Sequence, residues 1–274
     1  MTTAGIVEGF LAGQHRSPRR GFSVEFAEHR AYQPGDEPRY IDWKLLARTD
    51  RLHVKQYEEE TNLRAMLVVD ASASMGWRGA PERLTKLDYA ARLAAALGLL
   101  LLRQRDATGL VTFDDTVRSI TPARAAGRHF ALLAERLAAL QPGKGTAAAP
   151  ALTQVVAALR RRGMVVFISD LLLDRALTMK ALRFLRHRGH EVLVLHIADP
   201  GELELAPGEE TRFRDPESGR TVTLAPAEWA TEYRRTVDGV VRAWGTACRA
   251  AGIRYVLVPT DLPFGTALGR ALAS

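Results

Sequence analysis

Three loops of this chain carry oxygen-bearing side chains just where an apolar run ends. In Val68-Val69-Asp70-Ala71-Ser72-Ala73-Ser74-Met75 a carboxylate is followed by two hydroxyls at alternate positions. Thr146 stands in Gly-Lys-Gly-Thr-Ala-Ala-Ala-Pro, and Asp170 closes Val-Val-Phe-Ile-Ser-Asp. A serine nucleophile, a phosphate cradle, a metal site and a plain helix cap could each use such residues. Two carboxylates brought together repel and raise one pKa unless a cation or a proton compensates. Carboxylate and hydroxyl oxygens converging from three loops suit a hard divalent cation. Magnesium takes octahedral oxygen coordination and keeps several waters, so a few such side chains suffice and one position stays open for an incoming ligand.

The competing chemistries ask for residues that are missing. A serine hydrolase needs a positioned base, and none of the histidines at 15, 29, 53, 129, 187, 190 and 196 falls in a recognisable catalytic motif. A phosphoaspartate enzyme wants a second acid two places after Asp70, where Ser72 stands, and a dinucleotide enzyme wants a glycine fingerprint where the chain has Ala-Ser-Ala-Ser. Gly143-Lys144-Gly145-Thr146 has the wrong glycine spacing for a phosphate loop and no strand running straight into it. The chain therefore reads as a binding domain with no catalytic residue assigned; a metal-dependent hydrolase built on the same Asp/Ser/Thr cluster is the alternative.

The elements that must position these residues alternate between β-branched apolar runs and longer helical patterns, the mark of a doubly wound, mainly parallel α/β sheet. Strands are expected at 65–69, 109–113, 164–169, 191–197 and 254–258, with a short one near 117–120 after Asp114-Asp115. Helices are expected at 87–103, 128–140, 150–161, 175–188 and 227–251, and from Phe264 onward. Residues 199–224, rich in glycine, proline and acids, read as a surface loop with a small hairpin. In open sheets of this kind ligands bind beyond the carboxyl ends of the strands, at the point where strand order reverses, and Asp70 and Asp170 both end strands.

Composition bounds the rest. With 274 residues, 47% hydrophobic and 25% charged, the chain can bury one substantial core. A net charge of +7 invites nucleic acid, but only five of the 38 basic residues are lysines, which points to compositional bias, and no nucleic-acid module is recognisable. Nucleic acid is not the expected partner. The single cysteine, Cys248, fits a reducing compartment. The amino terminus lacks the features of a signal peptide, and the apolar run from Leu93 to Leu102 is about half of a membrane span, so a cytoplasmic protein without a membrane segment is expected.

Asp-x-Ser-x-Ser, then a Gly-x-Gly-Thr turn, then an aspartate at a strand end resembles the metal-ion-dependent adhesion site of the von Willebrand factor A domain. That resemblance implies a metal surrounded by Asp70, Ser72, Ser74 and Thr146, with Asp170 acting directly or through water, and Mg2+ or Mn2+ as the ion. Upstream, Gly-Gln-His-Arg through Glu58-Glu59-Glu60 is similar to the signature of domain-of-unknown-function family 58. The matching residues are Glu25, Phe26, Arg30, Tyr32, Pro34, Gly35, Asp36, Arg39, Ile41, Asp42, Trp43, Ala47 and Arg48; Leu46 departs from the small hydroxyl residue expected there. The family implies a Rossmann-like von Willebrand A fold (63–274, with the hairpin insertion at about 199–224) preceded by an N-terminal arm (1–62) packed on the sheet. It further implies a non-enzymatic, metal-dependent adaptor or co-chaperone working with a MoxR-type AAA+ ATPase on a client protein, through an acidic residue on the metal. Read from its residues alone, the arm has a Pro34-Gly35-Asp36 turn, and Arg30, Arg39, Asp42 and Arg48 can form a charge network around Trp43. That network either clamps the arm or docks a partner, and the clamp is favoured because buried ion pairs are more often structural.

Overall fold

The computed structural model describes residues 24–33, 36, 38, 41–59, 63–143, 148–205, 211–214, 221–224 and 226–272. They fall into two compact units, one within 16–63 and one within 64–274.

In the smaller unit β1 (Val24–Ala31) pairs antiparallel with β2 (His53–Glu59). Between them lies α1 (Trp43–Thr49), started by Asp42, whose carboxylate accepts from the Lys44 and Leu45 N–H groups. Asp50 stops the helix in a left-handed conformation, φ 53°, with its N–H bonded to Leu46. Such residues are among the few that tolerate that region.

The larger unit is a six-stranded sheet in the order β10-β7-β6-β3-β4-β5. Its strands are β3 (Arg64–Asp70), β4 (Ala107–Phe113), β5 (Val117–Arg124), β6 (Met164–Ser169), β7 (Glu191–Ala198) and β10 (Arg254–Pro259). All run parallel except β5, which folds back antiparallel on β4 through the turn at Asp114-Asp115. The central strands are buried almost throughout, as their unbroken apolar runs require when both faces are covered. The helices are α2 (Lys86–Arg103), α3 (His129–Ala138), α4 (Ala148–Ala158), α5 (Arg175–His187), the short α6 (Pro200–Leu203), α7 (Pro226–Ala250) and α8 (Phe264–Leu272). A separate hairpin, β8 (Thr211–Arg214) with β9 (Thr221–Leu224), lies between α6 and α7 in the chain.

Helix α2 is the centre of one face. Thr85 caps it by accepting the Asp88 N–H, and 14 of its 18 residues are buried, packed on β3, β4, α3 and α8. Gly98 faces the sheet, where an added Cβ would make ordinary contact with Leu67 at 3.4 Å. On the other face Phe113 and Phe167 stack at 5.7 Å between β4 and β6. The chain leaves β3 for β4 in one direction and β6 for β7 and β10 in the other. Strand order therefore reverses between β3 and β6, and Asp70 and Asp170 sit at the carboxyl ends of those two strands. This is the doubly wound α/β architecture that the sequence pattern called for.

Candidate functional site

Asp70 is fully buried at the end of β3. Its Oδ1 accepts the Ser72 N–H at 2.9 Å and its Oδ2 accepts the Ser169 hydroxyl at 2.6 Å, which ties the last residue of β3 to the last residue of β6. Ser72 and Ser74 follow in a 3-10 turn (Ala73–Gly76) with their Oγ atoms 3.2 Å apart, both buried. Ser72 occupies the capping position of that turn, yet its side chain makes no capping hydrogen bond. The hydroxyl is thus turned to its neighbour. Burial pushes the Asp70 carboxyl up to about 7, and the charge of Asp170 adds to the shift against the bonds from Ser169 and Ser72. Among the described residues no lysine or arginine pairs with Asp70.

Asp170 does have a cation. The Lys86 ammonium, at the first position of α2 and fully buried, lies 2.8 Å from Asp170 Oδ2 and 2.5 Å from Glu202 Oε1. Burial opposes the lysine's charge, but the two carboxylates outweigh it and raise its pKa above the ordinary value. The other Asp170 oxygen accepts the Leu172 N–H at 3.2 Å, across Leu171, which is held at φ 56°. A bulky side chain in that left-handed region is a local strain of the kind that gathers at binding sites. Glu202 is positioned by a capping box in which Asp199 starts α6 and Glu202 reaches back to the Asp199 N–H. Asp199, fully buried, also takes Arg83 at 3.0 Å and the Thr260 hydroxyl at 3.2 Å. The polar cluster therefore extends from β3 across the ends of β6, β7 and β10.

Sequence reasoning singled out Asp70, Ser72, Ser74 and Asp170, and these four lie on the two adjacent central strand ends. Thr146 falls outside the described residues, although the chain on its amino side comes to the motif: the Gly143 N–H donates to Ala71 O at 2.6 Å. A Cβ at Gly143 would stand 2.6 Å from Asp114 Oδ2 and Arg118 Nη2 and 3.1 Å from Ala71 O, so that side-chain pair would have to give way. Lys86, Ser169, Asp199 and Glu202 were missed. Lys86 carried a signal, because a cation in the first turn of a helix opposes the helix dipole and needs a partner elsewhere. Asp199 opens the stretch expected as surface loop; it is instead buried, since Arg83 and Thr260, the residue after β10, satisfy it.

In the smaller unit Arg30 pairs with Asp36 at 2.7 Å, and the Gln33 N–H closes the turn on the same carboxylate. Those bonds hold the Asp36 carboxyl below its usual range. Asp42 is the cap of α1, and Trp43 at the first position of that helix is 61% exposed. Arg48 is in the last turn of α1, where its charge suits the helix dipole. Arg39, Pro34 and Gly35 lie outside the described residues.

The donor set suits a hard cation. Ligands at right angles on magnesium, with bonds of about 2.0–2.1 Å, stand about 2.9 Å apart, close to the Ser72–Ser74 separation of 3.2 Å. Among the described residues no group of three or more His, Cys, Asp or Glu could hold a metal, so only a hydroxyl-rich site with few carboxylates is in question. Among the described residues Ser72, Ser74 and Ser169 bond to each other or to Asp70, and His196 bonds to the Tyr255 hydroxyl at 2.6 Å with burial pushing its pKa down to about 4.

The family described as "Protein of unknown function DUF58" matches residues 28–240. This chain belongs to the DUF58 family. An uncharacterized protein of Mycobacterium tuberculosis is 34% identical over 257 residues, 89% of this DUF58 chain and 80% of that protein, and a Mycobacterium bovis counterpart matches equally. Among solved structures, the conserved hypothetical protein BatB from Bacteroides thetaiotaomicron superposes with a TM-score of 0.50 at 17% identity, covering 77% of this chain and 97% of that one. An aerotolerance-related membrane protein from Bacteroides fragilis gives 0.49 at 16%, covering 77% and 98%. At 17% identity the likeness to BatB is one of fold. Among the described residues no helix is long and apolar enough to cross a membrane.

Proposed function

We propose that this DUF58 chain is a non-enzymatic, metal-dependent protein-interaction domain, an adaptor or co-chaperone that acts with a MoxR-type AAA+ ATPase on a client protein. One arrangement supports the reading: a buried Asp70 with no described cation of its own, beside two hydroxyls at ligand spacing, at the reversal of strand order. Asp70, Ser72 and Ser74 would hold magnesium or manganese, with Thr146 completing the set. Asp170, already neutralised by Lys86, would act through water. The ion would supply an electrophilic position that a carboxylate of the partner fills in place of water. The Arg30–Asp36 turn and the exposed Trp43 serve as clamp or secondary dock of the N-terminal segment.

Calorimetric titration tests the site first. Asp70→Ala should abolish magnesium binding, while Ser72→Ala and Thr146→Ala should weaken it by about tenfold each, the loss of one neutral ligand at about 1.4 kcal/mol. Pull-down of the ATPase or client should then fail in EDTA, return with magnesium, and fail for Asp70→Ala. Equal magnesium affinity for wild type and Asp70→Ala would remove the metal from the proposal.

A further inference from the structure

On the sheet face covered by α4 and α5, two large apolar side chains are left in the open. Leu177 is 45% and Phe184 48% exposed, seven residues apart on α5, with Lys180 and Ala181 between them on the same stripe. They are not part of the core-facing set of that helix, which is Thr178, Met179, Leu182 and Leu185. Across from them α4 presents Leu152 and Val156, and together these residues line a groove of about 290 Å³. The groove's apolar anchors are two helical turns apart, about 10 Å, which matches side chains at i and i+7 of a second helix.

The charges of this stretch are mostly of one sign. Between 148 and 190 the chain carries eight lysines and arginines and two aspartates. Asp170 is buried on Lys86, and Asp174 is spent as the cap of α5 on the Leu177 N–H. Arg160, Arg161, Arg175, Lys180 and Arg183 are exposed, and the Arg188 guanidinium lies 5.8 Å over the Phe184 ring. Apolar anchors beside Lys180, which lines the groove, and Arg188, which lies over Phe184, complement an amphipathic helix whose polar face is acidic. An anionic bilayer shares the charge, but a bilayer takes a protruding apolar face, whereas Leu177 and Phe184 border a hollow.

We infer that the α4–α5 groove docks an acidic amphipathic helix of a partner protein. The inference stands apart from the metal reading, because the groove residues include none of the proposed ligands. Both helices nevertheless begin at the carboxyl edge of the sheet, α5 directly after the Asp170 loop.

The probe is a synthetic fluorescein-labelled helical peptide with leucine at i, i+3, i+4 and i+7 and glutamate at its other positions, titrated in EDTA so that no metal contributes. Saturable binding is expected in fluorescence anisotropy. It should weaken at least tenfold between about 0.1 M and about 1 M salt, as the Debye length falls from about 10 Å to about 3 Å. Phe184→Ser and Lys180→Glu should each cost about tenfold or more, the loss of an anchor or of a facing charge. Both residues are exposed, so the variants should melt like the wild type. The same peptide with lysine for glutamate should not bind. Absence of saturation up to about 1 mM peptide, or equal affinity for Phe184→Ser, overturns the inference. So does capture of the protein by phosphatidylserine vesicles but not by the peptide, which would assign the face to a membrane.

Discussion

Replacing Lys86 with methionine keeps the length and apolar stem of the side chain and removes only the ammonium. In the wild type that ammonium is wholly buried between Asp170, 2% exposed, and Glu202, 26% exposed. Glu202 can turn toward water when the lysine is gone; Asp170 cannot. The cost is therefore dominated by one uncompensated buried carboxylate, and breaking such a pair is worth about 3–5 kcal/mol. For a domain of about two hundred residues each kcal/mol moves the melting temperature by about 2–4 °C, so a fall of about 6–20 °C is expected. Differential scanning calorimetry in EDTA reads it directly, and urea unfolding should show a lower midpoint at unchanged slope. Glu202→Gln leaves the Lys86–Asp170 pair in place and should cost only about 1 kcal/mol, the scale of one partly exposed hydrogen bond. Lys86→Met combined with Asp170→Asn should recover part of the loss, since the buried charge is gone with its partner. A Lys86→Met protein melting within about 2 °C of wild type, or a Glu202→Gln protein as unstable as it, would refute the assignment of Lys86 as the counter-charge of the site.

Asp70 sets a pH dependence of its own. Its carboxyl is raised from the ordinary value to about 7, so between about pH 4 and pH 7 the folded protein holds a proton that the unfolded chain has released. In EDTA stability should therefore be highest below that window, fall as the pH rises through it and level off above, by up to about 4 kcal/mol. Asp70→Asn should flatten the slope in urea titrations from acid to neutral pH; an unchanged slope would show that another group carries it. Gly143→Ala places a Cβ within 2.6 Å of the Asp114–Arg118 pair and 3.1 Å of Ala71 O. It should lower stability by about 1–3 kcal/mol, as overpacking does, and weaken magnesium binding in calorimetry by displacing the approach to Thr146. Unaltered binding would detach that approach from the site.

Most of the fold was legible because both periods were clear. Val68-Val69-Asp70 and Val165-Val166-Phe167-Ile168 could only be strands covered on both faces, and each aspartate or serine after them marked an end. Helix α4 starts at Ala148 rather than at Pro150, because a proline in the first turn gives up an N–H that has no partner there anyway. Strand β5 runs to Arg124, past the expected end at Ile120, since an edge strand tolerates Pro122 on its outer side. The buried hydroxyls near Asp70 were legible because they are local in sequence. The rest of the site was not, for the opposite reason: Lys86 meets Asp170 across 84 residues, Asp199 meets Arg83 across 116, and no periodicity encodes such pairings. In the smaller unit the antiparallel pairing of β1 with β2 rests on main-chain hydrogen bonds that composition does not announce.

Strand β5 also decides how this protein can meet others. As the antiparallel last strand of the sheet it turns one row of main-chain groups outward, the usual place for a foreign chain to add itself. That row is spoiled. Pro122 has no N–H to offer, the register with β4 slips between Thr108 and Leu110, and Arg118 and Arg124 are exposed along it. A missing donor, a bulge and the exposed Arg124 make the border a poor template for a seventh strand. Recognition by β-augmentation is disfavoured at this edge of the sheet, which shifts contact with partners toward the helical faces and the loops above the carboxyl ends of the strands.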